Sequence, residues 1–159
     1  MATTRVASAG TYNSGDLISA ADLNAMPGGT IGRDELSTNS GGTSTIEIAC
    51  SVTPTVGDSR EVTIHCTANY RATGACNCQL GIYEDSVQIQ RKMTPIPAAA
   101  TDVTITTFVT SYPVAGSHQY DLATGASGST SETVTCVNNG GGSNEGVTVI
   151  LVVDTGPSF

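Results

Sequence analysis

The chain has 159 residues and a formal net charge of −8, because 6 basic residues face 14 acidic ones. That length fits one domain with a single core. An acidic chain without a basic cluster is a poor candidate for binding nucleic acid or an anionic membrane, and no apolar run is long enough to span a bilayer. We therefore expect neither partner.

The first 29 residues predict an N-terminal docking arm with one short helix. Ser19 is a favourable N-cap with Asp22 three residues later, and Pro27-Gly28-Gly29 ends the helix after about two turns. The apolar residues of this arm are too few to form a core, so they must pack on another surface. Either the chain's own sandwich or a neighbouring subunit would supply that surface for the assembly residues Leu17, Ile18, Leu23 and Met26.

The start, MATTRVASAG, lacks the apolar region of a secretory signal. We expect the protein to stay in a cytoplasm unless a released particle carries it out.

Residues 30–159 predict β-strands. The segment Thr30–Leu36 suits a short edge strand, and from Thr45 onward apolar residues alternate with polar ones. This alternation places Ile46, Ile48, Cys50 and Val52 on one face of a strand. The segment PIPAAA is expected to cross between sheets, since its prolines favour extended backbone. The last run, VTVILVVD, is the most apolar and is expected to form a central strand, buried on both faces for part of its length.

This pattern of about eight or nine strands predicts an all-β fold, an antiparallel β-sandwich that is jelly-roll-like. An immunoglobulin-like sandwich is the second choice. The chain contains no Trp and so has no Cys…Trp…Cys frame of that fold.

The five cysteines all fall on the predicted inward faces of strands. They are Cys50, Cys66, Cys76, Cys78 and Cys136. We expect buried thiols that pack as small hydrophobes. A disulfide formed in an oxidising medium, Cys50–Cys66 or Cys66–Cys136, is the second interpretation. A metal site on Cys76-Asn77-Cys78 is the third, and it lacks the CxxC knuckle and second ligand pair of zinc sites.

No catalytic site emerges from the remaining polar residues. Ser117, His118 and Asp121 carry the residue types of a hydrolytic triad, but His118 and Asp121 face opposite sides of one strand. Glu84-Asp85 is favourable turn chemistry. The loop GGGSNEG lacks the Lys and the following helix of a phosphate loop. We therefore predict no catalytic residues, no enzyme activity, no cofactor and no metal.

Three segments in chain order resemble a known family. They are SGDLISAADLNAMPGGTIGR, SYPVAGSHQYDLATG and VILVVDTGPSF. Together they are similar to small structural proteins of tailed phages of actinobacteria, commonly minor tail proteins, which carry the motifs GDxITAADLN, AGSHTY-L and ILVEDIGP. Val153 stands where the family pattern has an acid, and the cysteines lie outside the pattern. The matching residues are Gly15, Asp16, Ile18, Ala20, Ala21, Asp22, Leu23, Asn24, Ala115, Gly116, Ser117, His118, Tyr120, Ile150, Leu151, Val152, Asp154, Gly156 and Pro157.

The resemblance implies a jelly-roll-like, trimeric module built into a phage virion, assembled in the host bacterial cytoplasm and released in the particle. The expected function is that of a non-enzymatic minor tail protein whose partners are other virion proteins, tail or major capsid subunits. A capsid (head) decoration protein on the same architecture is the alternative. A host cell-wall recognition module is a third hypothesis, from another class. It requires a groove with aromatic and carboxylate side chains.

Overall fold

A computed structural model describes residues 28–37, 46–99, 102–127, 131–137 and 147–157. The predicted helix and the assembly residues Leu17, Ile18, Leu23 and Met26 lie outside this part of the chain. The described residues form eleven strands: β1 (Gly29–Glu35), β2 (Glu47–Val52), β3 (Thr55–Val56), β4 (Arg60–Ala72), β5 (Cys76–Glu84), β6 (Val87–Ile96), β7 (Asp102–Ser111), β8 (Gly116–Ser117), β9 (Tyr120–Ser127), β10 (Val134–Cys136) and β11 (Val149–Pro157). No helix in these ranges is long and apolar enough to cross a membrane.

Two antiparallel sheets face each other. Sheet one has the order β1-β11-β4-β7, with β10 pairing with the far end of β4, and sheet two has the order β2-β9-β5-β6. Strands β3 and β8 form a small separate pair. The eight long strands pair first with last, second with seventh, third with sixth and fourth with fifth. This nested pairing is that of a long antiparallel ribbon rolled over into two layers, so the predicted jelly-roll sandwich is confirmed.

The core lies between the two sheets and comes from alternate residues of the long strands. Tyr70 and Tyr120 are its largest side chains. The Tyr70 hydroxyl donates to the carbonyl oxygen of Gln79 at 3.2 Å, so burial leaves this phenol with a partner. The other fully buried large residues are Val62, Ile64, Leu80, Ile82, Ile96, Ile105, Leu122, Val134, Ile150 and Val152.

The last strand is central, as predicted, because β11 pairs with β1 on one side and β4 on the other. Its inward residues Ile150 and Val152 are fully buried. Its outward residues, Val149, Leu151 and Val153, are half-buried. The prediction that β11 is buried on both faces is thus wrong for a single copy of the chain, because its outward side chains remain half-exposed.

A β-bulge changes the faces of β2. The sequence places Ile46, Ile48, Cys50 and Val52 on one face, but the register shifts between Ile48 and Cys50. The extra residue turns Ile48 outward, where it is 59% exposed, while Cys50 and Val52 remain in the core. The predicted single face is therefore wrong, because strict alternation fails wherever a strand gains one unpaired residue.

The crossing between the sheets begins later than predicted. Strand β6 continues through Pro95 to Ile96, which pairs with Cys76 of β5. Proline is tolerated on β6 because this is an edge strand of sheet two, where alternate backbone N–H groups have no neighbouring strand to pair with. The chain then crosses from sheet two to sheet one, where β7 begins at Asp102.

A buried ion pair links the start of β4 to the end of β11. The Arg60 Nε donates to both carboxylate oxygens of Asp154 at 3.0 Å, and Nη2 donates to Oδ1 at 2.7 Å. The same Oδ1 accepts the N–H of Gly156 at 3.0 Å. Gly156 has φ +126°, a left-handed value that favours glycine at this bulge. Gly28 lies directly over the carboxylate, since an added Cβ would come within 3.0 Å of three Asp154 atoms. The Asp-x-Gly of the third motif therefore has a structural role.

We expect Arg60→Met to lower the free energy of unfolding by about 3 kcal/mol, because it leaves the Asp154 carboxylate buried without its cation. Urea unfolding followed by circular dichroism measures this loss. Arg71→Met is the matched control. It removes a bidentate pair with Asp102 whose side chains are 43% and 48% exposed, and an exposed pair is worth about 1 kcal/mol or less. Equal losses in the two variants would contradict the assigned role of Arg60.

Candidate functional site

The five cysteines all lie in the described part of the chain and are free thiols, so neither Cys50–Cys66 nor Cys66–Cys136 is paired. All except Cys76 are buried. Burial raises the pKa of Cys50 to about 12 and that of Cys78 to about 11, and it raises the pKa of Cys66 and Cys136 as well. Such thiols are protonated at neutral pH and are poor nucleophiles and metal ligands. No group of three or more His, Cys, Asp or Glu side chains suited to a metal ion occurs in the described ranges.

A threonine in the core gives two of these thiols polar partners. The fully buried Thr148 hydroxyl donates to the Val137 carbonyl oxygen and accepts the backbone N–H of Asn69, at 3.2 and 3.1 Å. The Cys136 Sγ lies 3.2 Å from this hydroxyl, and the Cys50 thiol donates to the Thr148 carbonyl oxygen at 3.8 Å. These contacts lie where β4 changes partner from β11 to β10. The arrangement is structural.

His118 is buried at one end of the sandwich and holds two loops together. Its Nε2 lies 2.7 Å from the Val114 carbonyl oxygen, and its Nδ1 lies 2.8 Å from the Asp85 carboxylate. A carbonyl oxygen and a carboxylate both accept, so this arrangement is fully satisfied when both ring nitrogens donate, which is the charged form of the imidazole. Asp85 also accepts the N–H of Gln119 at 2.9 Å and donates its own N–H to the Gln119 carbonyl oxygen at 2.8 Å. The β5–β6 turn is thereby fixed to the segment before β9.

The electrostatics of this cluster favour the charged pair. Burial by itself lowers the pKa of His118. The hydrogen bonds to Val114 and Asp85, with the negative charges of Asp85 and Glu84, outweigh burial and raise the pKa above its ordinary value. The pKa of Asp85 is lowered, first by the Gln119 N–H and then by His118.

The structure does not bring the three triad-like residues into one arrangement. His118 pairs with Asp85, which lies 33 positions away in the chain. The sequence pattern predicted only a turn at Asp85. Asp121 instead accepts the Ser51 hydroxyl at 2.6 Å and the Gln119 side-chain amide at 3.0 Å. No pattern in the sequence identifies Asp85 as the partner of His118, because the contact depends on how the two loops meet.

The middle of the outer face of sheet one carries nine neighbouring side chains without a Lys, Arg, Asp or Glu; we call these nine the sheet-one face. Arg33 and Glu35 of β1 flank it as register partners of Leu151 and Val149, and they form an ion pair with each other. Cross-strand register places Leu151, His65 and Phe108 in its central row. Phe108 is 63% exposed, and its ring centroid lies 5.9 Å from that of His65. Threonine hydroxyls face each other across β4 and β7 on either side of this row. The nine residues are Thr63, His65, Thr67, Thr106, Phe108, Thr110, Val149, Leu151 and Val153.

A groove with a volume of about 310 Å³ lies on the outer side of sheet two; we call it the sheet-two groove. Tyr83 and Asp121 are register partners within it, and Ala123 is the partner of Ile48. The Tyr83 ring lies over Gly81, since a Cβ there would be 2.9 Å from its Cε2 atom. Sequence reasoning missed this groove because the bulge that turns Ile48 outward has no signature in the alternation.

We expect the free energy of unfolding to decrease as the pH rises through the raised pKa of His118. Because the folded state binds the His118 proton more tightly than the unfolded state, protonation stabilises the fold. This stabilisation is complete at pH values below the pKa of the unfolded state, about 6.5, and is lost as the pH rises through the higher pKa of the folded state. Urea unfolding at a series of pH values measures the slope. His118→Gln is expected to abolish this part of the slope, whereas His65→Gln, which changes the other histidine, is expected to keep it. An unchanged slope in His118→Gln would contradict the role assigned to His118.

The sequence matches no family model and no curated protein. Among solved structures the chain is similar to dimeric latent PorU from Porphyromonas gingivalis, at 8% identity and a TM-score of 0.49, over 98% of this chain and 14% of that one. It is also similar to a cycloisomaltooligosaccharide glucanotransferase from Paenibacillus sp. complexed with cycloisomaltoheptaose, at 14% identity and a TM-score of 0.28, over 84% of this chain and 17% of that one. The chain thus spans a small part of either protein, and likenesses this distant carry no argument about function.

Proposed function

We propose that this chain is a non-enzymatic structural protein of a tailed-phage virion, a minor tail protein that docks through its N-terminal arm and projects the jelly-roll sandwich. The resemblance of three ordered segments to the phage family suggests this class. Residues of the second and third motifs support a scaffold role, because His118 ties loops together and Asp154 holds β4 to β11.

The sheet-one face is the observation that carries the proposal. The chain has a net charge of −8, so two copies repel each other wherever acidic groups meet. The sheet-one face carries none of these acidic groups, and its central row is apolar or aromatic. Burying these nine residues against another subunit removes no Lys, Arg, Asp or Glu among them from water and covers the outer side of β11, and the flanking Arg33 and Glu35 already pair with each other. We propose that this face lies inside a homo-oligomer, and the resemblance implies a trimer.

A capsid decoration protein is the alternative, since an arm and a projecting sandwich serve either location. Copy number separates the two, because a decoration protein covers the head in many copies and a tail tip holds few. Quantitative mass spectrometry of purified particles, with electron microscopy of labelled protein, gives both number and place. A chain missing from purified particles would contradict both versions.

The docking role of the arm is tested by deleting residues 1–27. Strand β1 begins at Gly29, and Gly28 packs on Asp154, so this truncation leaves the described sandwich intact. We expect a β-rich circular dichroism spectrum like that of the full chain and a loss of incorporation into particles during complementation. A truncated, folded protein that still enters particles at the normal level would contradict docking by the arm.

Self-association through the sheet-one face is tested by Phe108→Glu and Leu151→Glu. Either change places a carboxylate at the centre of the proposed interface. The desolvation of an unpaired carboxylate in Phe108→Glu is expected to raise the dissociation constant by about two orders of magnitude, and the effect of Leu151→Glu is expected to be smaller because Arg33 is the register partner of position 151. Light scattering coupled to size-exclusion chromatography measures the assembly. Val114→Glu is the control, because Val114 is 77% exposed and lies outside this face. A monomeric wild-type chain, or dissociation by all three variants alike, would contradict the interface.

A further inference from the structure

The sheet-two groove presents apolar side chains that the fold itself does not bury. Ile46 and Ile48 are 44% and 59% exposed along its wall. The bulge in β2 directs Ile48 here and away from the core. β-Bulges often occur next to active or binding sites, where they change the direction of a side chain. A concave surface with exposed apolar walls is the usual form of a ligand site.

The groove also contains an aromatic ring held in a fixed position. Tyr83 lines it, and the ring lies over the backbone of Gly81. The Tyr83 hydroxyl donates to the side-chain oxygen of Gln88 at 3.3 Å. Since both contacts restrain the ring, little side-chain entropy remains to be lost when a ligand stacks on it.

Asp121 supplies an acceptor beside this ring. Its Oδ1 already accepts the Ser51 hydroxyl and the Gln119 amide at 2.6 and 3.0 Å, and its Oδ2 accepts the same amide at 3.1 Å. A carboxylate has about four acceptor positions, so Oδ2 retains capacity for one more hydrogen. Because the existing donors fix the carboxylate, it is preorganised for a hydroxyl donor in the groove.

The charges of the lining select the class of ligand. Glu47 and Asp121 line the groove, and no Lys, Arg or His is among its described lining residues. Phosphate or carboxylate ligands are therefore disfavoured. The hydrogen bonds to Asp121 come from the neutral Ser51 hydroxyl and Gln119 amide and do not neutralise a carboxylate, so the choice of a neutral ligand over a cation rests on the exposed isoleucines and the Tyr83 ring, which match a ligand with an apolar face.

We propose that the sheet-two groove binds a short neutral saccharide, with the C–H face of a sugar ring against Tyr83 and Ile48 and a sugar hydroxyl donating to Asp121. Sugars combine an apolar face with outward hydroxyls, which matches this combination of side chains. The volume of about 310 Å³ lies at the lower end for ligand pockets, as suits a short saccharide. The inference does not depend on a virion role for the chain.

The proposal is tested with the full-length protein by titrating maltotetraose, cellotetraose and mannotetraose and following backbone amide NMR resonances. We expect at least one of these probes to shift the amides of Ile48, Tyr83 and Ala123, with a dissociation constant of about 1 mM. Tyr83→Ala is expected to weaken that binding roughly tenfold, because it removes the stacking surface. Asp121→Asn is expected to weaken it less, since the amide oxygen still accepts one hydrogen bond.

Tyr112→Ala is the matched control, because this tyrosine is 65% exposed and does not line the groove. Its binding is expected to equal that of the wild type. The proposal is overturned if none of the three neutral probes shifts these amides, or if trigalacturonate or tetralysine binds there in their place. Equal weakening by Tyr83→Ala and Tyr112→Ala also overturns it.

Discussion

The antiparallel pairing of β11 with β1 and β4 is the constraint on which the rest of the structure depends. It joins the first described strand to the last, and the remaining long strands, which lie between these two in the sequence, pair inside this outermost pair. The inward side chains of β11 pack in the core, and Asp154 near its end binds Arg60 of β4. Because that ion pair is buried, it is expected to be costly to break and to hold the end of the sandwich closed.

The same pairing determines which surfaces remain available. Strand β11 occupies the middle of sheet one, so its outward side chains form a broad face with those of β4 and β7. In sheet two the bulge of β2 brings Ile48 next to Tyr83 and Asp121. One sheet thus presents a central patch of nine side chains without Lys, Arg, Asp or Glu, which we propose for subunit contacts. The other presents a groove with acceptors and an aromatic ring, which we propose for a saccharide.

Apart from the Asn69 Nδ2 atom, the buried side-chain nitrogen and oxygen atoms of the described chain have hydrogen-bond partners. His118 and Asp85 join two loops, and Thr148 joins strands around buried thiols. High thiol pKa values follow from the absence of water around the sulfur atoms, and the raised His118 pKa follows from its two acceptors. These groups stabilise the fold across the ends and the middle of the sandwich, which suits a protein whose proposed role is assembly.

Alternation of apolar residues by itself determined the all-β class and the inward direction of the cysteines, because side chains alternate sides along any extended strand. The continuous apolar run VTVILVVD determined the central position of the last strand. Only the tertiary structure decided where alternation breaks, as at Ile48, and which distant residues meet, as with His118 and Asp85 or Arg60 and Asp154. A bulge depends on the register of the partner strand, and a contact between loops depends on how two sheets are connected. Both are properties of pairs of segments, so a single stretch of sequence does not contain them.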